Sequence, residues 1–231
     1  MKKTILFIAF ALMTMSGIFA QKQTGGEKNL EVAFAPLGGN PVSMSGIRLR
    51  IFNSEASAIR IGIFLGGQTS KDVTMQAEES GDPDQPEIYT TNKSMDISIR
   101  PGYEMHFAGT DRLSPYVGAE LALTLHSESV EEEMWTVING DGDTGVATTT
   151  TKDGSTTFGL NLLAGTDFYF ADNIYLGAEL GFGFQTTSNR DTEVEIAGID
   201  DAENPDPMLN GSSSAWGPNV QGTLRLGWLF N

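Results

Sequence analysis

The feature that most constrains this chain is a strict two-residue alternation between apolar side chains and small or polar ones. In Ser114–Leu125, Val117, Ala119, Leu121, Leu123 and Leu125 fall on one face. Tyr116, Gly118, Glu120, Ala122 and Thr124 fall on the other. A period of two puts successive side chains on opposite sides of an extended strand. Asn173–Gln185 repeats the pattern, with Ile174, Leu176, Ala178, Leu180, Phe182 and Phe184 set against Tyr175, Gly177, Glu179, Gly181 and Gly183.

Six further segments alternate in the same way. They are marked by Leu30, Val32 and Phe34, by Ile47, Leu49 and Ile51, and by Ile59, Ile61, Ile63 and Leu65. Met95, Ile97 and Ile99 mark the next, then Phe158, Leu160, Leu162, Ala164 and Phe168, and last Val220, Leu224, Leu226, Trp228 and Phe230. The sequence therefore predicts an all-β chain of eight strands. Short connections near Asn53–Ser57, Gly109–Leu113 and Ala171–Asn173 alternate with long ones near Ser70–Asn92, Ser127–Ser155 and Thr186–Ala215, with Leu37–Ser43 intermediate. Alternating short turns and long loops are the pattern of transmembrane barrels, whose strands need about 9–11 residues. The expected fold is an eight-stranded antiparallel up-and-down transmembrane β-barrel, with both termini on the short-turn side. Pro101 cannot donate to a strand ladder and, with Gly102, is expected to mark a bulge.

The competing architecture is a soluble sandwich or lipocalin-like barrel with its apolar face inward. Against it, the polar face is rich in glycine and poor in the Lys and Glu that solvate a surface. The chain holds 27 Gly among 231 residues. Aromatics also gather near strand ends on the apolar face, at Phe107, Phe158, Phe168, Phe170, Phe184, Trp216, Trp228 and Phe230, as in interfacial girdles.

Residues 1–20 read as a signal peptide. Lys2 and Lys3 precede an apolar run, Ile5–Met13, too short to span a bilayer, and Ile18-Phe19-Ala20 offers a small residue before Gln21. A short segment, 21–28, then leads into a barrel over 29–231. The absence of cysteine excludes disulfides, thiolate metal sites and an acylated cysteine anchor. A formal charge of −16 repels phosphate backbones, so no nucleic acid partner is expected.

If the apolar face meets lipid, the other face fills the interior. Its acids are Glu31, Asp96, Glu104, Glu120, Asp167 and Glu179, and its bases Arg48, Arg50, Arg60, Arg100 and Arg225. Buried charges must be paired, so a salt-bridge network closing the barrel is expected, centred on Glu104, Glu120, Glu179, Arg48, Arg60, Arg100 and Arg225. Similar heights on adjacent strands predict the pairs Glu179–Arg225 and Arg60–Glu104. An eight-stranded barrel is just wide enough for its own side chains to fill.

The three long loops carry twenty of the 30 acids. They are expected on the outer surface, facing lipopolysaccharide or a protein partner. Val130–Ile138 and Gly145–Thr151 are expected to pair as a hairpin above the membrane, and Thr192–Ile199 to extend likewise. Asp141 and Asp143 are spaced like a pair of calcium ligands, but the full loop pattern of an EF-hand fails. The cluster His126, Ser127, Glu128 and Ser129 holds the residue types of a lipid-modifying site, but consecutive strand residues point to opposite faces. The expectation is a protein that is not an enzyme and needs no cofactor.

The repeated Tyr116-Val117-Gly118-Ala119-Glu120-Leu121 and Tyr175-Leu176-Gly177-Ala178-Glu179-Leu180, with the closing Arg225-Leu226-Gly227-Trp228-Leu229-Phe230, resemble the outer-membrane β-barrel domain family. That family is itself similar to the OmpA and OmpW barrels and common in Bacteroidetes-like bacteria. The resemblance covers Asn29–Asn231. It implies insertion by the barrel assembly machinery and a structural or surface-interaction role. Alternatives are a small passage for small or hydrophobic solutes and an accessory subunit of an outer-membrane complex. Asn231 departs from the pattern, because the assembly signal usually ends in the aromatic itself.

Overall fold

The computed structural model describes residues 22–34, 44–75 and 86–230. The signal segment 1–20, the connection 37–43 and Asn231 lie outside the described residues. Nine strands form: β1 Lys28–Phe34, β2 Met44–Ser54, β3 Ser57–Met75, β4 Ile88–His106, β5 Leu113–Val137, β6 Thr144–Ala171, β7 Ile174–Asn189, β8 Glu193–Ala197 and β9 Ser212–Phe230. No helix occurs among the described residues.

Pairing is antiparallel throughout and closes on itself. β1 pairs with β2 on one side and with β9 on the other, from Lys28↔Phe230 to Phe34↔Leu224. β5 and β6 pair along their whole length, from Leu113↔Phe168 to Val137↔Thr144. The ring runs β1-β2-β3-β4-β5-β6-β7-β9 and returns to β1, so eight strands close and no edge remains in it. The eight expected strands are these eight. β8 stands outside the ring, paired with Thr148–Lys152 of β6; it is the extension expected at Thr192–Ile199.

The register carries the alternation around the ring. Leu30 faces Leu49, Leu49 faces Ile61, Leu121 faces Leu160, Leu160 faces Phe184, and Leu176 faces Leu226. A slip of one residue would turn every apolar side chain inward. Instead the outside is apolar and exposed, with Leu65 at 71%, Leu180 at 67% and Leu162 at 63%. Along β6 this belt runs from Phe168 to Phe158, and a tilted strand climbs roughly 2.4 Å per residue. The belt is thus about 25 Å tall, the height of the apolar band of such barrels.

The short-turn end is tight. Glu55-Ala56 joins β2 to β3, and Asp172-Asn173 joins β6 to β7 with Asn173 at φ 62°, a left-handed conformation that asparagine tolerates. Both the first strand's start and Phe230 lie at this end. At the other end the strands outrun the predicted loops. β3 and β4 pair as far as Met75↔Ile88, and β5 and β6 reach Val137↔Thr144. Period-two alternation ends where both faces become polar. Cross-strand Thr and Val pairs, such as Val130↔Thr151, carry the ladder on.

Pro101 interrupts the β4–β5 ladder but creates no bulge. The register is the same at Ile99↔Leu123 and Gly102↔Glu120, so no extra residue is inserted. Because Pro101 lacks an N–H, the ladder skips two residue pairs there, at Arg100 and Pro101, and the strand stays in step.

The interior plug and the vestibule above it

Inside the ring the usual order of burial is inverted. Among the described residues, fourteen polar or charged side chains are buried against nine apolar ones. At the short-turn end an apolar floor forms from Phe52, Ala58, Leu229 and the rings of Tyr169 and Tyr175. On it stands a network of charges.

Arg50 is at its centre and fully buried. Its Nη1 donates to Glu104 at 2.8 Å and its Nη2 to Asp167 and to the Tyr175 hydroxyl at 2.7 Å each, while Nε lies 3.0 Å from Glu31. Arg225 bridges Glu31 at 2.9 Å and Asp167 at 2.8 Å. One layer up, Arg60 donates to Glu104 at 2.9 Å, Glu120 at 3.0 Å and Glu179 at 2.7 Å. Arg48 caps the network from above, 3.2 Å from Glu179. Five carboxylates and four guanidiniums are thereby interlocked across β1, β2, β3, β4, β5, β6, β7 and β9. Each strand supplies one or two members because the inward face recurs every second residue.

Glycine makes the room. A Cβ on Gly177 would lie 2.6 Å from both Arg225 Nη2 and Asp167 Oδ1. One on Gly102 would lie 2.9 Å from the Arg60 side chain, and one on Gly165 or Gly227 would collide with Tyr116 or Tyr175. The inner-wall glycines are therefore the complement of the long side chains that fill the bore.

Six of the seven residues expected in the network are in it. Arg60–Glu104 pairs as expected. Glu179–Arg225 does so only at 3.9 Å, and the main partner of Glu179 is Arg60. Asp167, on the strand beyond β7, sits closer to Arg225 and displaces Glu179 from it. Arg100 is a correction. It is exposed above the network, its Nε donating to Ser98 Oγ at 3.2 Å, and among the described residues it pairs with no carboxylate. Its inward side chain is level with Gly62, a rung above the highest acids of the plug.

The segment before β1 also enters the bore. Gln23 is buried, accepts from the Tyr169 hydroxyl at 2.9 Å and donates to Ser114 Oγ at 2.7 Å. His106 Nδ1 lies 2.8 Å from Ser114 Oγ and 3.2 Å from Gln23 Nε2, and its Nε2 lies 3.2 Å from Glu104. The Gln23 amide nitrogen can only donate, so Nδ1 accepts and the ring carries its proton on Nε2, toward Glu104. Ser114, His106 and Glu104 thus have the order of a catalytic triad. However, the serine is covered by Gln23 and the carboxylate is held by two arginines, which leaves no approach for a substrate. Parity places His106 and Ser114 on the inward face, but it says nothing of Gln23, which lies in no alternating segment.

Above Arg48 the bore widens into a vestibule. His126, half exposed, lies 2.8 Å from Asp96 and 3.8 Å from Glu128. It turns to these acids inside the lumen, whereas Ser127 and Ser129 take the opposite face. Asp141 and Asp143 lie in the β5–β6 turn. Asn139 Oδ1 accepts both their backbone N–H groups, and its amide donates to Asp143 at 2.9 Å. These hydrogen bonds close a turn. Among the described residues no group of three or more His, Asp or Glu is placed to hold a metal ion.

No protein-family model matches the chain, and no curated protein matches it. A solved structure similar to it is that of CarO from Acinetobacter baumannii, 10% identical, covering 91% of this chain and 99% of that one with a TM-score of 0.35.

Proposed function

We propose that this chain is an integral outer-membrane β-barrel of the small OmpA/OmpW-like kind, not an enzyme, with a structural or surface-interaction role. The observation that carries the reading is the inversion of polarity: an apolar belt about 25 Å tall outside and a buried charge network inside. A protein in water would have the reverse. Aromatic side chains at both rims support it, with Trp228 and Phe230 at one end and Phe184 and Trp216 at the other. In this reading the short-turn end faces the periplasm, after removal of the signal segment 1–20. The barrel assembly machinery inserts the chain. The acidic extension of β5, β6 and β8 meets lipopolysaccharide or a protein partner outside. The plug closes the bore to ions. The test is refolding into neutral-lipid vesicles. The expected result is co-flotation with the lipid and heat-modifiable gel mobility, without stable single-channel conductance. Failure to float would refute the membrane reading, and a steady conductance the closed one.

A second reading, uptake of small hydrophobic solutes, is favoured by one observation: an apolar groove of about 510 Å³ over β1, β2 and β3 on the outer wall.

A further inference from the structure

The sequence holds two Asn-Gly pairs, Asn139-Gly140 and Asn210-Gly211, and the fold treats them in opposite ways. In such a pair the glycine nitrogen can attack the asparagine side chain before it, because glycine puts no Cβ in the way. The first pair lies in the turn between β5 and β6, and the second lies just before β9.

In the β5–β6 turn the side-chain carbonyl of Asn139 is polarised. Its Oδ1 accepts the backbone N–H of Asp141 at 3.1 Å and that of Asp143 at 3.0 Å, while its Nδ2 donates to Asp143 Oδ2 at 2.9 Å. The bond to Asp141 folds the side chain back along the Gly140 peptide. Two N–H groups on one carbonyl oxygen draw charge from Cγ, and they stabilise the negative charge that grows on Oδ1 when a nucleophile adds there. Gly140 is exposed, makes no hydrogen bond among the described residues, and has open space where a Cβ would stand. Its nitrogen is free to close the remaining distance to Cγ.

At Asn210 the arrangement is reversed. Nδ2 donates to the Arg190 carbonyl at 2.9 Å and to Thr192 Oγ1 at 2.8 Å, and the backbone N–H donates to Asp191 at 3.2 Å. Among the described residues nothing donates to its Oδ1. The Gly211 carbonyl accepts the Asn189 N–H at 3.1 Å, and Ser212 then enters the ring opposite Ser188. Here the amino group is held, the carbonyl is not polarised, and the nucleophile is pinned to β7.

We propose that Asn139-Gly140 is a deamidation site built by the turn, whereas the fold protects Asn210-Gly211. The Gly140 nitrogen gives its proton to solvent and bonds to Asn139 Cγ. The Cγ–Nδ2 bond breaks, and Nδ2 takes a proton from water and leaves as ammonia. Water then opens the cyclic imide at either carbonyl, leaving aspartate or isoaspartate. The net change is one water consumed and one ammonia released, with no oxidant. Either product adds a negative charge beside Asp141 and Asp143 and loses the amide that donated to Asp143, so the turn loosens. The reaction needs only the turn and water and is independent of the membrane reading.

The test is incubation of the refolded barrel in detergent and mildly alkaline buffer, followed over time by peptide mass spectrometry, beside a sample kept unfolded in urea. In the folded barrel Asn139 should convert at least about tenfold faster than Asn210, the factor for one hydrogen bond that must break first at Asn210. In urea the two should convert at similar rates, since glycine follows each. Folding should not slow Asn139. Hydroxylamine, which cleaves the imide, should cut the folded chain between Asn139 and Gly140 and leave Asn210-Gly211 intact. Gly140→Ala, whose methyl meets nothing in the fold, should slow conversion of Asn139 about fivefold, the factor for the backbone restriction that a Cβ brings. Equal rates at the two sites in the folded barrel, faster conversion of Asn210, protection of Asn139 by folding, or an unchanged rate in Gly140→Ala would each overturn the proposal.

Discussion

Replacing Arg60 by methionine tests the plug most directly. Arg60 is fully buried and holds three carboxylates at 2.7–3.0 Å: Glu179, Glu104 and Glu120. Methionine keeps much of the volume and removes all of the charge. Among the described residues Glu120 then keeps Asn161 at 3.5 Å, and Glu179 keeps Arg48, a distant Arg225 and the Tyr116 hydroxyl. Breaking a buried pair from one side costs about 3–5 kcal/mol, because the other charge is left in a medium that cannot solvate it. With a urea slope of about 2 kcal/mol per M, the midpoint should fall by roughly 1.5–2.5 M. The assay is urea unfolding from neutral-lipid vesicles, followed by tryptophan fluorescence and gel mobility. Adding Glu179→Gln to Arg60→Met should recover part of the loss, with a coupling of about 0.5–3 kcal/mol. The exposed pair Lys93–Glu131 is the control, and Lys93→Ala should cost about 1 kcal/mol at most. If Arg60→Met shifted the midpoint no more than Lys93→Ala, the plug would not be a dry charge network and the reasoning would be refuted.

Two further outcomes follow from the same geometry. Gly177→Ala forces a methyl against Arg225 and Asp167 and should destabilise the barrel by about 1–3 kcal/mol in thermal unfolding; an unchanged melting temperature would mean that the plug can shift freely. Leu162→Lys, on the outward face near mid-belt and 63% exposed, should cost about 2–4 kcal/mol in a bilayer. An equal or higher stability would place that face in water and exclude the membrane reading.

Much of the architecture was legible in the sequence because a closed barrel writes its fold into a local signal. With period two, each residue's face is decided by parity alone. Val117 through Leu125 and Ile174 through Phe184 declared their outward side without knowledge of any partner. Parity also put the nine charged residues of the plug on the inward face. The lengths of the wet strands above the belt were not legible, since Thr148–Thr151 alternates in nothing and is held by pairing to β5 and β8. Nor was the entry of Gln23 into the floor, because it lies outside any repeat.

The sequence by itself determined which side chains face in, which face out, and that eight strands are available. Only the tertiary structure decided which charges meet. Arg50 became the centre, Asp167 took Arg225 from Glu179, and Arg100 was left above the plug opposite Gly62. The physical reason is that face is a property of one strand, whereas partnership depends on height and stagger across a closed ring. Differences of one rung there decide whether a guanidinium is buried among carboxylates or left open to the vestibule.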